Sequence, residues 1–82
     1  MKPEKSPFYD EVYRFLVKSP SPEDILAFQP SEATSRRIRH LLSENKRHKL
    51  TLEEAAELDE FDRIEHMMRM FKIYATEVVE KR

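Results

Sequence analysis

The chain of 82 residues has no cysteine, no glycine, and no apolar run longer than the four residues Ile25-Leu26-Ala27-Phe28. Without cysteine there is no disulfide staple, no thiolate zinc site and no cysteine nucleophile, and prenyl and palmitoyl attachment are excluded with them. Without glycine there is no phosphate-cradling loop of the P-loop or dinucleotide type, and Lys2 stands where N-myristoylation needs a glycine. The short apolar runs leave no candidate for a transmembrane helix. The start, Met1-Lys2-Pro3-Glu4-Lys5, is charged and no apolar stretch follows it. No targeting segment is therefore expected, and the expected location is the cytoplasm. A dominant charge sign is also missing: 15 Lys and Arg against 16 Asp and Glu leave a net charge of -1. That balance argues against wholesale electrostatic capture of nucleic acid, while leaving local patches open.

Apolar residues make up 39% and charged residues 38% of the chain, which suits a small charged helical protein rather than a disordered one. One domain is expected at this length, burying only about 60% of the surface its unfolded chain exposes. Residues 1–5 read as a disordered N-terminus and 6–82 as a single helical domain. All five prolines, Pro3, Pro7, Pro20, Pro22 and Pro30, fall in the first 30 residues and each marks a boundary.

The first helix is expected to start with Ser6 as N-cap and Pro7 at its first position, burying Phe8, Val12, Phe15 and Leu16 with Tyr9 and Tyr13 at the flanks. It ends at Ser19-Pro20. Ser21 caps a second start with Pro22 next and Glu23 and Asp24 at the positive end of the helix dipole. This short turn carries Ile25, Leu26 and Phe28 as an apolar plug and stops before Pro30. Ser31 caps a third helix running to about Asn45, with Thr34, Ile38, Leu41 and Leu42 on its apolar face. Asn45 is the expected left-handed residue of the following turn, since no glycine is available. Thr51-Leu52-Glu53-Glu54 is a capping box with Leu50 in the staple position, and no breaker follows it. A helix from Leu52 to about Glu80 would be ~44 Å long at ~1.5 Å per residue. A compact chain of this size has a radius of gyration of only ~12 Å, so the rest of the chain is too small to cover this helix along its length. No strand alternation and no internal repeat are present. The fold class is all-α: a first helix, a short apolar turn, then a helical hairpin with a long last helix.

At about 100° per residue, Leu52, Ala55 and Leu58 share one side of the last helix, the side expected against the third helix. Phe61, Ile64, Met68, Phe71, Ala75 and Val78 follow the 3-4 spacing of a coiled-coil seam, widened by Met67, Tyr74 and Val79 and further by Met70 and Ile73. Part of this surface is expected to meet the first helix, and part a second copy or a protein partner. The expected interface is Phe61, Ile64, Met67, Met68, Phe71, Tyr74 and Val78, the methionines supplying an adaptable surface. Charge is segregated along the hairpin. Arg36, Arg37, Arg39, Lys46, Arg47 and Lys49 stand against Glu44 in the segment 36–49, while the segment 53–65 has seven acids against Arg63. One reading is complementary pairing of antiparallel helices. The other is a set of phosphate contacts made by those six basic residues, although no interleaved aromatics support it.

His40 and Glu44, like Asp62 and His66, are spaced to share a helix face, but neither the Glu-x-x-His spacing of di-iron bundles nor His-Glu-x-x-His is present. The serines sit mostly at caps, and no deep pocket is expected in so short a chain. No catalytic residue, metal ligand or cofactor is assigned, and the chain reads as a non-enzyme.

The segment from Phe8 to Ala75 resembles a group of small, largely uncharacterised bacterial proteins, chiefly cyanobacterial. The carrying stretches are Ser21-Pro22-Glu23-Asp24-Ile25-Leu26-Ala27-Phe28, Pro30-Ser31-Glu32 and Leu41-Leu42-Ser43-Glu44-Asn45. The most specific runs from Leu50-Thr51-Leu52-Glu53-Glu54 through Ala56-Glu57-Leu58-Asp59-Glu60-Phe61 to Glu65-His66. The resemblance implies a non-enzymatic helical unit, and association of some such proteins with genes for HNH-type nucleases implies an antitoxin-like or accessory role. The chain departs from the group at Asn45-Lys46-Arg47-His48, where the pattern reads Asn-Arg-Glu-Gly. The expected function is a non-catalytic helical interaction module, a homodimer or the small partner of a larger protein. The alternative is a small nucleic-acid-binding regulator using the basic segment 36–49.

Overall fold

The structure, a computed structural model, describes residues 7–82. The expectations for Ser6 as a cap and for residues 1–5 lie outside the described residues. Four helices follow in order: α1 (Pro7–Leu16), α2 (Pro22–Ala27), α3 (Glu32–Lys46) and α4 (Leu52–Glu80). The fold is all-α, with a long C-terminal helix.

The helix starts are set by local chemistry. At α2, the Ser21 hydroxyl accepts from the Asp24 N–H (3.1 Å) and the Asp24 carboxylate accepts in return from the Ser21 N–H (3.1 Å). At α4, Thr51 and Glu54 make the same reciprocal pair at 3.0 and 3.1 Å. Each box satisfies two backbone donors that a helix start leaves free. Ser31 caps α3 by accepting from the Thr34 N–H.

The turn between α3 and α4 differs from the sequence expectation. The helix runs on to Lys46, and the left-handed residue is His48 (φ 58°), not Asn45. The Lys49 N–H donates to the Glu44 carbonyl (2.9 Å) and the His48 N–H to the Asn45 carbonyl (3.0 Å), the six-residue reversal that closes many helices. Placing the reversal here lets Leu50 reach the core and leaves Thr51 free to cap α4. Ser19, after α1, is the other described residue with positive φ, at 55°.

α4 is the spine, and α1, α2 and α3 each pack on it, α2 most extensively. Phe8, Val12, Leu41, Phe61, Ile64 and Met68 form the core; the Phe8 and Phe61 rings lie 5.9 Å apart. α3 meets the N-terminal half of α4. α2 meets the C-terminal half, where the Lys72 Nζ donates to the Phe28 carbonyl (3.0 Å) and Arg82 pairs with Glu23. The Phe15 and Phe28 rings, 4.7 Å apart, tie α1 to the end of α2. The molecule measures 48 × 32 × 19 Å, with a radius of gyration of 14.7 Å. That exceeds the ~12 Å of a compact chain of this length, and the length of α4 is the reason.

Four residues expected to pack inward are exposed. Leu52 is 91% exposed and Ala55 is also exposed, so of the three residues on that side only Leu58 packs on the core. Leu42 is exposed as well, on the rim of α3 rather than beneath it. In α2, Leu26 faces outward and no residue is fully buried, so the segment acts as a clamp along α4 more than as a plug.

Candidate interaction surfaces

The buried interior leaves no loose polar chemistry. Among the described residues every buried side-chain nitrogen and oxygen has a partner, and no group of three or more His, Asp and Glu is placed to hold a metal ion. No helix among them is long and apolar enough to cross a membrane. The His40 Nε2 lies 3.9 Å from a Glu54 carboxylate oxygen across the hairpin, rather than beside Glu44.

Thr34 is the one fully buried polar residue described. Its hydroxyl donates to Glu11 of α1 (2.9 Å), whose other carboxylate oxygen accepts from the Ser31 N–H (3.0 Å). Burial pushes the Glu11 carboxyl up, but the hydrogen bonds from Ser31 and Thr34 outweigh it and hold the pKa below its ordinary value. A carboxylate from α1 therefore sits at the positive end of α3. Across the hairpin, the Arg37 guanidinium makes a two-pronged bond to Glu57 at 3.0 and 2.9 Å, which raises the Arg37 pKa.

The expected partner interface divides in two. Phe61, Ile64 and Met68 are 2%, 2% and 4% exposed and belong to the chain's own core, so they are a correction to that expectation. Met67 is half-buried against the same core. Phe71, Tyr74 and Val78 are 37%, 61% and 48% exposed, joined by Met70 and Ile73. The apolar surface of α4 is too wide for one set of neighbours. Phe61, Ile64, Met68 and Ala75 face inward, while Met67, Phe71, Tyr74 and Val78 form a second stripe about 80° further round, at about 100° per residue. The single seam expected from the sequence merges these two stripes.

A groove of about 400 Å³ lies between α3 and α4, a feature the sequence did not announce. Its floor and walls are Phe8, Phe28, Ile38, Leu42, Leu58, Phe61 and Met68, and its α4 rim carries Asp62, Glu65, Arg69 and Lys72. It is an open trough without a convergent set of polar groups.

The six basic residues expected to contact phosphate separate as well. Arg37 turns inward to Glu57. Arg36, Arg39 and Lys46 share the outward face of α3 by their spacing, with the C-cap Arg47 beside them, and all are exposed, as is Lys49 in the turn. Arg39 lies 3.5 Å from Glu32 and Arg47 3.6 Å from Glu44. Among the described residues, Arg36, Lys46 and Lys49 have no ion-pair partner. Complementary charge across the hairpin is thus concentrated at Arg37–Glu57, with the His40 ring near Glu54, while most of the remaining pairs lie within single helices. Compared with protein-family models, curated proteins and solved structures, the chain matches none.

Proposed function

We propose that the protein is a non-catalytic interaction module of the cytoplasm that docks another polypeptide on the exposed apolar stripe of α4. The observation that carries this reading is the stripe itself. Met70, Phe71, Tyr74 and Val78 stand partly in water on one helix side, beside a core that is already closed. Contiguous apolar surface of this kind marks interfaces in soluble proteins, and methionine and tyrosine are suited to them. The absence of a convergent polar cluster in the groove fits a binding role better than catalysis. The test is recovery of a cross-linked, stoichiometric partner chain from the source cells. Tyr74→Glu should abolish that recovery while leaving the thermal transition unchanged. Equal recovery with the variant would overturn the reading.

The outward basic face of α3 favours a second reading, a regulator that contacts nucleic acid through phosphates. Replacing Arg36, Lys46 and Lys49 together should then lower the salt slope of binding by about one unit per lost contact. No binding by the unmodified chain at low salt would end this reading.

A further inference from the structure

We infer that the occupant of the α4 stripe is α4 of a second copy, running antiparallel, with the twofold axis passing between Met70 and Phe71. This rests on the interaction reading above and names its partner. The carrying observation is the order of charges beside the stripe. Glu60 and Arg63 lie toward its N-terminal end and Glu77 and the C-cap Lys81 toward its C-terminal end. At about 100° per residue Glu60, Arg63 and Lys81 fall within about 50° of its line and Glu77 on its edge, about 90° away. Arg63, Glu77 and Lys81 are exposed and Glu60 is partly so. Glu60 and Lys81 are equidistant from the Met70–Phe71 midpoint, and Arg63 and Glu77 differ by one residue.

Reversing a second α4 about that midpoint sets Glu60 opposite Lys81 of the other copy and Arg63 opposite its Glu77. The twofold repeats both pairs, so four attractive pairs bracket the apolar centre. A parallel, in-register pairing would set each of the four charges against its like. The charge order therefore selects orientation as well as partner. The same reversal places Met67 against Tyr74 of the other copy and brings Met70 and Phe71 together at the axis. Arg63 already pairs with Asp59 at 2.6 Å in its own chain, but a guanidinium has five donors and serves both carboxylates.

The native chain has no cysteine, so introduced thiols report geometry without background. Under oxidation, the Met70→Cys chain should cross-link to itself. The Tyr74→Cys chain should not, because its two copies lie seven residues apart, ~10 Å along the axis, beyond disulfide reach. An equal mixture of the Met67→Cys and Tyr74→Cys chains should give the mixed cross-link. Sedimentation equilibrium should show a dimer that Glu77→Arg weakens about tenfold. Combining it with Arg63→Glu, which exchanges the two signs, should restore affinity to within about threefold. Self-cross-linking of the Tyr74→Cys chain would overturn the antiparallel arrangement. A chain monomeric at roughly millimolar concentration would overturn the second copy as occupant. The interaction reading would still stand in that case if Tyr74→Glu abolished recovery of a different partner chain, and would fall if it did not.

Discussion

Removing the Glu11 carboxylate tests whether the join between α1 and the start of α3 is held as described. Glu11→Gln deletes the charge and one acceptor while keeping the side-chain shape. Two bonds are at stake, from the Ser31 N–H at 3.0 Å and the Thr34 hydroxyl at 2.9 Å. A hydrogen bond to a charged group contributes about 1.5–3 kcal/mol when its donor has no alternative. The Ser31 N–H is at an exposed position and can turn to water, so its loss counts little. Thr34 is 1% exposed, and its hydroxyl would keep only the Ser31 hydroxyl at 3.2 Å. The expected cost is about 2 kcal/mol, which for a chain of this size lowers Tm by about 8–16 °C. The pH dependence gives an independent check. The folded Glu11 pKa is lowered, so its stabilisation is fully present above the unfolded value near 4.5 and is lost as pH falls through the lower folded value. Urea titrations of both proteins from neutral to acid pH should show a constant gap above about pH 5 that closes in acid. A gap below about 0.5 kcal/mol at neutral pH, or one that persists in acid, would refute the assignment.

Two further substitutions probe the helix ends. His48→Gly should stabilise the chain by about 1 kcal/mol in a thermal melt, because φ 58° costs a residue with a Cβ what glycine does not pay; a loss of stability would mean the turn adopts another geometry. Thr51→Ala should cost about 0.5–2 kcal/mol by removing the acceptor for the Glu54 N–H, read in the same assay.

What the sequence made legible was what is local in it. Ser21, Ser31 and Thr51 cap the helices they precede, because a cap is decided within four residues. The end of α4 at Glu80 was legible for the same reason, since nothing in between breaks the helix. The division of the α4 surface was not legible. Phe61 and Phe71 look alike in the pattern, and only the placement of the neighbouring helices decides which one is covered. Glu11 gave no sequence signal either, as its partners are 20 and 23 residues away. The turn was legible in part. The left-handed residue is His48 (φ 58°), whereas asparagine's preference pointed to Asn45.

The extensive packing between helices always includes α4, and α4 is the last of the four to be synthesised. Helices of 10, 6 and 15 residues are marginal in water by themselves. At about 5–20 residues per second, the 29 residues of α4 take roughly 1.5–6 s to make, whereas small helical domains fold within about milliseconds. For those seconds Phe8, Val12 and Leu41 lack Phe61, Ile64 and Met68, the α4 half of their core. Their exposure is timed by the pace of translation rather than by the pace of folding. Slow codons within α4 lengthen it, and slow codons within α1 do not.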